Sequence, residues 1–389
     1  MTRMARYPER TTRTALATLC LLALAGCIGG DDGGSGNDGL HTGALMHVGV
    51  ENVHYETQSQ SDSTNEDGEF QYYPGETLTF RVGDLVLAED VPAAPFLSPI
   101  DFTTDAREKL ERGGTDRYGL QTHRVVEEDL AANDRQAINI TRLLMVLSDD
   151  NANEPAETLT ISRRTINQMN AYLADDSNPT INFDVPVDDF ASPEAENDDA
   201  RNDAGDLRPE VSSAANLMLD SICFEEEGGE LCEAPPTNTE INNTGDEEQQ
   251  EELEQERGRI LDARRTLQDA PSNAVTEFLE RDTLIFKGDL ESPFYLTPET
   301  LTIPASDNSI REVTIKRTGS SDFTLEALEA QVQGQDWYLD STDWQSGTVR
   351  FYHDGPSTES GTVTVNFKVD YPDFDNYRWF QKTLRVHLN

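Results

Sequence analysis

Val363-Thr364-Val365-Asn366-Phe367-Lys368-Val369 carries the clearest structural signal in the chain. Apolar residues alternate with Thr, Asn and Lys, the period of a strand that buries one face. The same period recurs on both sides. It is seen in Leu301-Thr302-Ile303, Val313-Thr314-Ile315-Lys316, Phe323-Thr324-Leu325, Val349-Arg350-Phe351-Tyr352 and Leu384-Arg385-Val386-His387-Leu388. Turn formers separate the runs: Thr318-Gly319-Ser320, Ser346-Gly347, Asp354-Gly355-Pro356 and Ser360-Gly361.

Six or seven short strands over about 95 residues predict an antiparallel, immunoglobulin-like β-sandwich at 290–389. The Cys-Trp-Cys pattern is missing, so the expected domain is not disulfide-centred. Trp337, Trp344 and Trp379 read as core or edge aromatics, with a carbohydrate-stacking face as the functional alternative.

Before the sandwich the period changes. Val125, Val126 and Leu130, then Ile138, Ile140, Leu143, Leu144, Val146 and Leu147, are spaced for helices with one apolar face. Ile161–Leu173 and Val211–Leu219 add further helices, and Ala274–Leu279 closes the region. A mainly α domain is therefore expected at 92–285, entered through a connector holding Pro92, Pro95 and Pro99. Two acidic insertions, 188–206 and 225–256, hold few apolar residues and read as loops or disorder. Glu247–Arg265 is the part of the second that could continue as a solvated helix.

Residues 43–91 read as short strands again. Leu78-Thr79-Phe80-Arg81-Val82 alternates, Leu85-Val86-Leu87 is a compact run, and Asp67-Gly68 marks a tight hairpin. The string Thr64-Asn65-Glu66-Asp67-Gly68-Glu69-Phe70-Gln71-Tyr72 resembles the T-D-x-x-G-x-F hairpin of transthyretin-like and carboxypeptidase-regulatory-like β-sandwiches. Val53–Leu87, through Tyr73-Pro74-Gly75-Glu76-Thr77, is similar to the N-terminal module of large, mostly uncharacterised envelope lipoproteins of gammaproteobacteria. Some of these carry transporter or permease labels, but this chain lacks the several spanning segments a permease needs. The expected fold class is thus α+β multidomain: a small N-terminal β-sandwich module, a mainly α middle and the C-terminal sandwich.

The chain starts with a basic, Thr-rich stretch carrying Arg3, Arg6, Arg10 and Arg13, followed by the apolar run Ala15–Ala25. This is the layout of a secretory signal, and the run is shorter than the roughly 20 residues that span a bilayer. Leu24-Ala25-Gly26-Cys27 resembles the lipobox of bacterial lipoproteins. The resemblance implies a signal peptide at 1–26 and a palmitate-type anchor on Cys27. Residues 27–42 then form a Gly/Asp tether, which reaches about 40 Å at 3.3–3.6 Å per extended residue. Ile28 stands where lipoproteins retained at the inner membrane carry Asp, which favours the outer membrane of a Gram-negative bacterium.

Composition narrows the partners. The chain has 30 Lys+Arg against 74 Asp+Glu, a formal charge of −44. Such a field repels nucleic acid and anionic lipid. The five lysines are Lys109, Lys287, Lys316, Lys368 and Lys382, and an acid-rich, lysine-poor surface resembles that of halophilic bacteria. Cys20 leaves with the signal. Cys223 and Cys232 remain as an even pair in an oxidising compartment, expected as a disulfide stapling an acidic loop.

The sequence offers no HExxH pair, Gly-x-Ser-x-Gly elbow, phosphate loop or dinucleotide fingerprint. Acidic pairs abound and read as solvated surface rather than a glycosidase couple. The ion-site candidate is Ser148–Glu154, where Asp149, Asp150, Asn151 and Asn153 present oxygens suited to Ca2+. Related lipoproteins have a similar L-D-x-D run after an N-x-x-R-L-L helix, here Asn139–Leu144. The EF-hand match fails for want of its glycine and terminal glutamate, and a polar helix-terminating loop is the simpler reading.

The expectation is a non-catalytic outer-membrane lipoprotein with a binding, adhesion or structural role at the envelope. It is held to the membrane by its lipid and faces an envelope protein or glycan. One alternative is a periplasm-facing accessory subunit of an envelope or transport complex. Another is an enzyme acting on a surface polymer.

Overall fold

The computed structural model describes residues 39–149, 158–193, 200–225, 228–319, 323–370 and 379–389. The chain is a mixed α+β protein. Its N-terminal strands are β1 (His41–Leu45), β2 (Val50–Glu51), β3 (His54–Glu56), β4 (Ser61–Ser63), β5 (Glu69–Tyr72), β6 (Thr77–Val82), β7 (Leu85–Pro92) and β8 (Phe96–Leu97). All but β2 form two sheets, ordered β5-β1-β8 and β4-β3-β6-β7, while β2 pairs in parallel with Leu159–Thr160 of the middle region. Alternation decides which side chains turn inward: Phe70 and Tyr72 of β5 and Leu78, Phe80 and Val82 of β6 are fully buried. Phe70 meets Phe80 edge-on at 5.6 Å, which ties the two sheets together.

The Asp67-Gly68 hairpin is corrected by the pairing. Gly68 does adopt φ +70°, and a Cβ there would lie 2.6 Å from the Leu45 carbonyl oxygen. Yet β4 pairs with β3 and β5 pairs with β1, so the turn carries the chain from one sheet to the other.

The middle region holds α1 (Thr104–Arg112), β9 (Gly114–Thr115), β10 (Gln121–Thr122), α2 (Arg124–Asn133), α3 (Arg135–Leu147), β11 (Leu159–Thr160), α4 (Arg163–Leu173), α5 (Val187–Phe190), α6 (Ala214–Asp220), α7 (Asn238–Asn243), α8 (Glu247–Asp262) and α9 (Ser272–Glu291). Every residue of α3 from Ala137 to Leu147 is buried. A helix covered on all sides must satisfy its polar side chains internally. Asn139 donates to the Phe183 and Val185 carbonyls, at 2.9 and 3.0 Å, and Arg142 to Val187 and Ser272. The N-x-x-R-L-L stretch is therefore a clamp on the extended segment before α5.

One apolar cluster runs from Leu45 through α3 to Phe278, so the boundary drawn at 91/92 falls inside a shared core. Phe102, after the 3-10 turn that follows β8, joins this cluster by stacking on Phe80 at 5.5 Å, whereas Ile100, Ala106 and Leu110 pack in a separate small cluster with Leu130 and Leu279. On α9, buried Asp282 accepts backbone N–H bonds from His47 and Val48, at 3.0 and 2.9 Å, and so pins the helix to the turn after β1.

The second acidic insertion is corrected too. Residues 225–256 read as loop or disorder apart from a candidate solvated helix from Glu247; α8 is that helix, whereas α7 stands in the stretch read as loop. A Thr237–Glu240 capping box starts α7, Asp246 caps α8, and Arg257 binds the Asp203 and Pro236 carbonyls. Caps and an arginine hold these helices, with only Ile241 and Ile260 buried. In the first insertion, residues 188–190 belong to α5 and Arg201 pairs with Asp220 at 2.6 Å. Residues 194–199 lie outside the described residues.

The C-terminal strands are β12 (Phe294–Thr297), β13 (Leu301–Ile303), β14 (Arg311–Arg317), β15 (Thr324–Gln333), β16 (Trp337–Asp343), β17 (Thr348–His353), β18 (Gly361–Asp370) and β19 (Trp379–Leu388). They form two four-stranded sheets, β12-β14-β17-β16 and β13-β19-β18-β15, around a second apolar cluster centred on Phe294, Phe351, Phe367 and Phe380. The pairing is not wholly antiparallel, because β13 runs parallel to β19, with Leu301 opposite Val386. The sandwich meets the helical region through Asn366, which donates to the Gln121 carbonyl at 2.8 Å, and through the Trp379 N–H, which donates to His123. Residues 39–389 make one compact unit.

Candidate functional site

Alternation on β12, β14 and β17 divides inward from outward residues. Phe294, Leu296, Val313, Ile315, Val349 and Phe351 are buried between the sheets. Tyr295, Lys316, Arg350 and Tyr352 stand on the other face, with Tyr295 opposite Lys316. Tyr338 of the edge strand β16 stacks on Tyr352 at 5.4 Å. Between these aromatics Arg350 pairs with Glu312 at 2.6 Å; both are about half exposed, so solvent screens the pair.

Seven large apolar side chains are exposed among the described residues. Five of them, Tyr295, Ile310, Tyr338, Leu339 and Trp344, belong to this sheet or the turns leading into it. Single exposed apolar residues are ordinary on a protein surface, so their concentration on one sheet is the feature that sets this sheet apart.

At one end of the sheet a groove of about 710 Å3 opens, lined by Tyr295, Lys316, Arg317, Phe323, Trp344 and Gln345. The turn from β16 to β17 builds its rim. Asp343 accepts hydrogen bonds from the Gln345 N–H at 3.1 Å and the Ser346 hydroxyl at 2.8 Å. The Ser346 hydroxyl bond leads in holding the Asp343 carboxyl below its ordinary range. The Gly347 carbonyl accepts from the Ile315 N–H at 2.9 Å, which fastens the turn to β14. Trp344, 47% exposed, is therefore presented from a braced position.

Of the three tryptophans only Trp344 is displayed. Trp337 is buried against His353 at 5.0 Å, with its indole N–H on the Glu359 carbonyl, and Trp379 is half-buried on β19. Tyr295, Lys316 and Gln345 were not singled out by sequence reasoning. Tyr295 could have been placed outward from its position between Phe294 and Leu296.

Cys223 and Cys232 are joined in a disulfide, with Cα atoms 5.5 Å apart. Gln168 of α4 holds the loop by exchanging two hydrogen bonds with the Cys223 backbone, at 3.2 and 3.0 Å. Cys27 and the signal and tether residues lie outside the described residues, as do Asp150, Asn151 and Asn153. Asp149 follows α3, and Arg265 places its guanidinium on the Val146, Ser148 and Asp149 carbonyls. A cationic side chain thus already serves the end of this helix. Among the described residues no group of three or more His, Cys, Asp or Glu is placed to hold a metal ion, and no helix is long and apolar enough to cross a membrane.

No protein-family model matches this sequence, and no curated protein is significantly similar to it.

Proposed function

We propose that this is a non-catalytic lipoprotein of the outer membrane, anchored through Cys27, which binds an envelope ligand with the first sheet of its C-terminal sandwich. The concentration of exposed Tyr295, Tyr338 and Trp344 on that sheet carries the reading. The strand order supports an immunoglobulin-like sandwich. β12-β14-β17-β16 corresponds to the A-B-E-D sheet of constant-type domains and β15-β18-β19 to C-F-G, with β13 added beside the last strand. The two small facing sheets at 41–97 support the transthyretin-like reading of the N-terminal module.

Protease treatment of intact cells, with an epitope tag at the C-terminus, tests the orientation. Loss of the tag places the sandwich outside and supports ligand capture or adhesion. Protection until the outer membrane is opened favours the inward-facing accessory role. Cys27→Ser should release the chain from the membrane, and equally firm attachment would remove the lipoprotein reading. For the Asp149–Asn153 loop, Arg265 as the resident cation predicts no change in Tm with millimolar Ca2+ at fixed ionic strength. A rise would assign the loop to the ion.

A further inference from the structure

We propose that the groove beside Trp344 binds an acidic saccharide, with a sugar ring on the aromatic side chains and its carboxylate at Lys316, an assignment that rests on the binding role proposed above. Charge is the first reason. The chain has 74 Asp and Glu among 389 residues, yet among the described residues no carboxylate lines this groove. Lys316 and Arg317 do, and Lys316 has no ion-pair partner among the described residues. Lys316 thus places at the groove a cation unpaired among the described residues, and such a group favours an anionic ligand.

The lining chemistry is the second reason. Tyr295 and Trp344 are 36% and 47% exposed at the same groove. A pyranose ring has an apolar C–H face that covers an aromatic ring and a rim of hydroxyls that needs hydrogen bonds. The Gln345 amide and the Thr324 hydroxyl are polar groups placed beside the rings. The third reason is rigidity and size. The Asp343 and Gly347 hydrogen bonds hold the rim before any ligand arrives, which lowers the ordering cost of binding. A volume of about 710 Å3 falls within the range of small-ligand sites.

Calorimetric titration of the full chain, extracted in detergent, with a galacturonate hexamer and with neutral cellohexaose tests the assignment. The acidic sugar should bind saturably and at least about tenfold more tightly than the neutral one, the scale of one charge-assisted hydrogen bond. Lys316→Gln should abolish that preference, and Trp344→Ala should weaken the acidic sugar by about tenfold or more. Both residues are at the surface, and unchanged melting temperatures would show that the variants fold. Equal affinity for the two sugars, or binding of neither, overturns the assignment. If neither binds while Trp344→Ala still reduces retention of the chain on isolated envelopes, the saccharide falls and the binding face stands. If retention is also unmoved, both fall.

Discussion

At the scale of single residues, His353 is the clearest departure from a satisfied interior. It is 1% exposed, packs against Trp337, and neither ring nitrogen has a hydrogen-bond partner among the described residues. A buried polar group without a partner costs roughly 1–3 kcal/mol. His353→Leu should therefore raise the stability of the sandwich, by about 1 kcal/mol once some packing against the indole is lost. Denaturant unfolding at neutral pH would measure this, and a loss of stability would show that the imidazole is satisfied. The alternation of β17 places His353 on the inward face with Val349 and Phe351, but a polar residue next to the Asp354-Gly355-Pro356 turn reads equally as an exposed strand end. Trp344 is the opposite case. Its type was legible, but its display depends on the Asp343 turn, and all three tryptophans looked alike in sequence.

Among the elements, α9 is pinned by Asp282. Burial is the leading influence on its carboxyl and raises it above the ordinary 3.8, although hydrogen bonds from the His47 and Val48 N–H groups oppose the rise. A raised folded value means that the folded chain holds this proton more tightly than the unfolded chain. The stability Asp282 contributes is then complete below about pH 4 and is lost as pH rises through the folded value. The margin of the native chain over Asp282→Asn should shrink as pH increases from about 4, as followed by urea unfolding at a series of pH values. A margin that grows with pH would contradict this account. Asp282→Ala strips the acceptor from both N–H groups and should cost roughly 1–3 kcal/mol for each.

The elements also separate what sequence reveals from what it hides. β14, β17 and β19 were legible because each buries mainly one face, which writes a period of two into the residues; β18 shows the same period although Thr364 and Asn366 on its other face are also covered. α8 was legible only as a candidate solvated helix, because acidic residues fill it and only Ile260 is buried, and short α7, with only Ile241 buried, left no period at all. The pairing of β13 with β19, and of β4 and β5 with different sheets, depends on contacts between distant residues that no local pattern records.

Over the whole molecule, charge sets the response to solvent. At −44 the folded chain repels itself, and salt shortens the reach of that repulsion from about 10 Å at 0.1 M to about 3 Å at 1 M. Tm should rise across that range of NaCl, as followed by circular dichroism. A fall would show that attractive pairs outweigh the repulsion. The charge was legible from composition alone. The shared core was not, because Leu45 and Phe278 are far apart in sequence and join one cluster only in the folded chain.

The central claim is that the first C-terminal sheet is a binding face. The most direct test compares retention of the anchor-free Cys27→Ser chain on isolated cell envelopes with that of the same chain carrying Tyr295→Ala and Trp344→Ala. The account predicts a loss of about tenfold or more in retention, the scale of exposed aromatic anchors, with no change in Tm. Equal retention by the two proteins would contradict it.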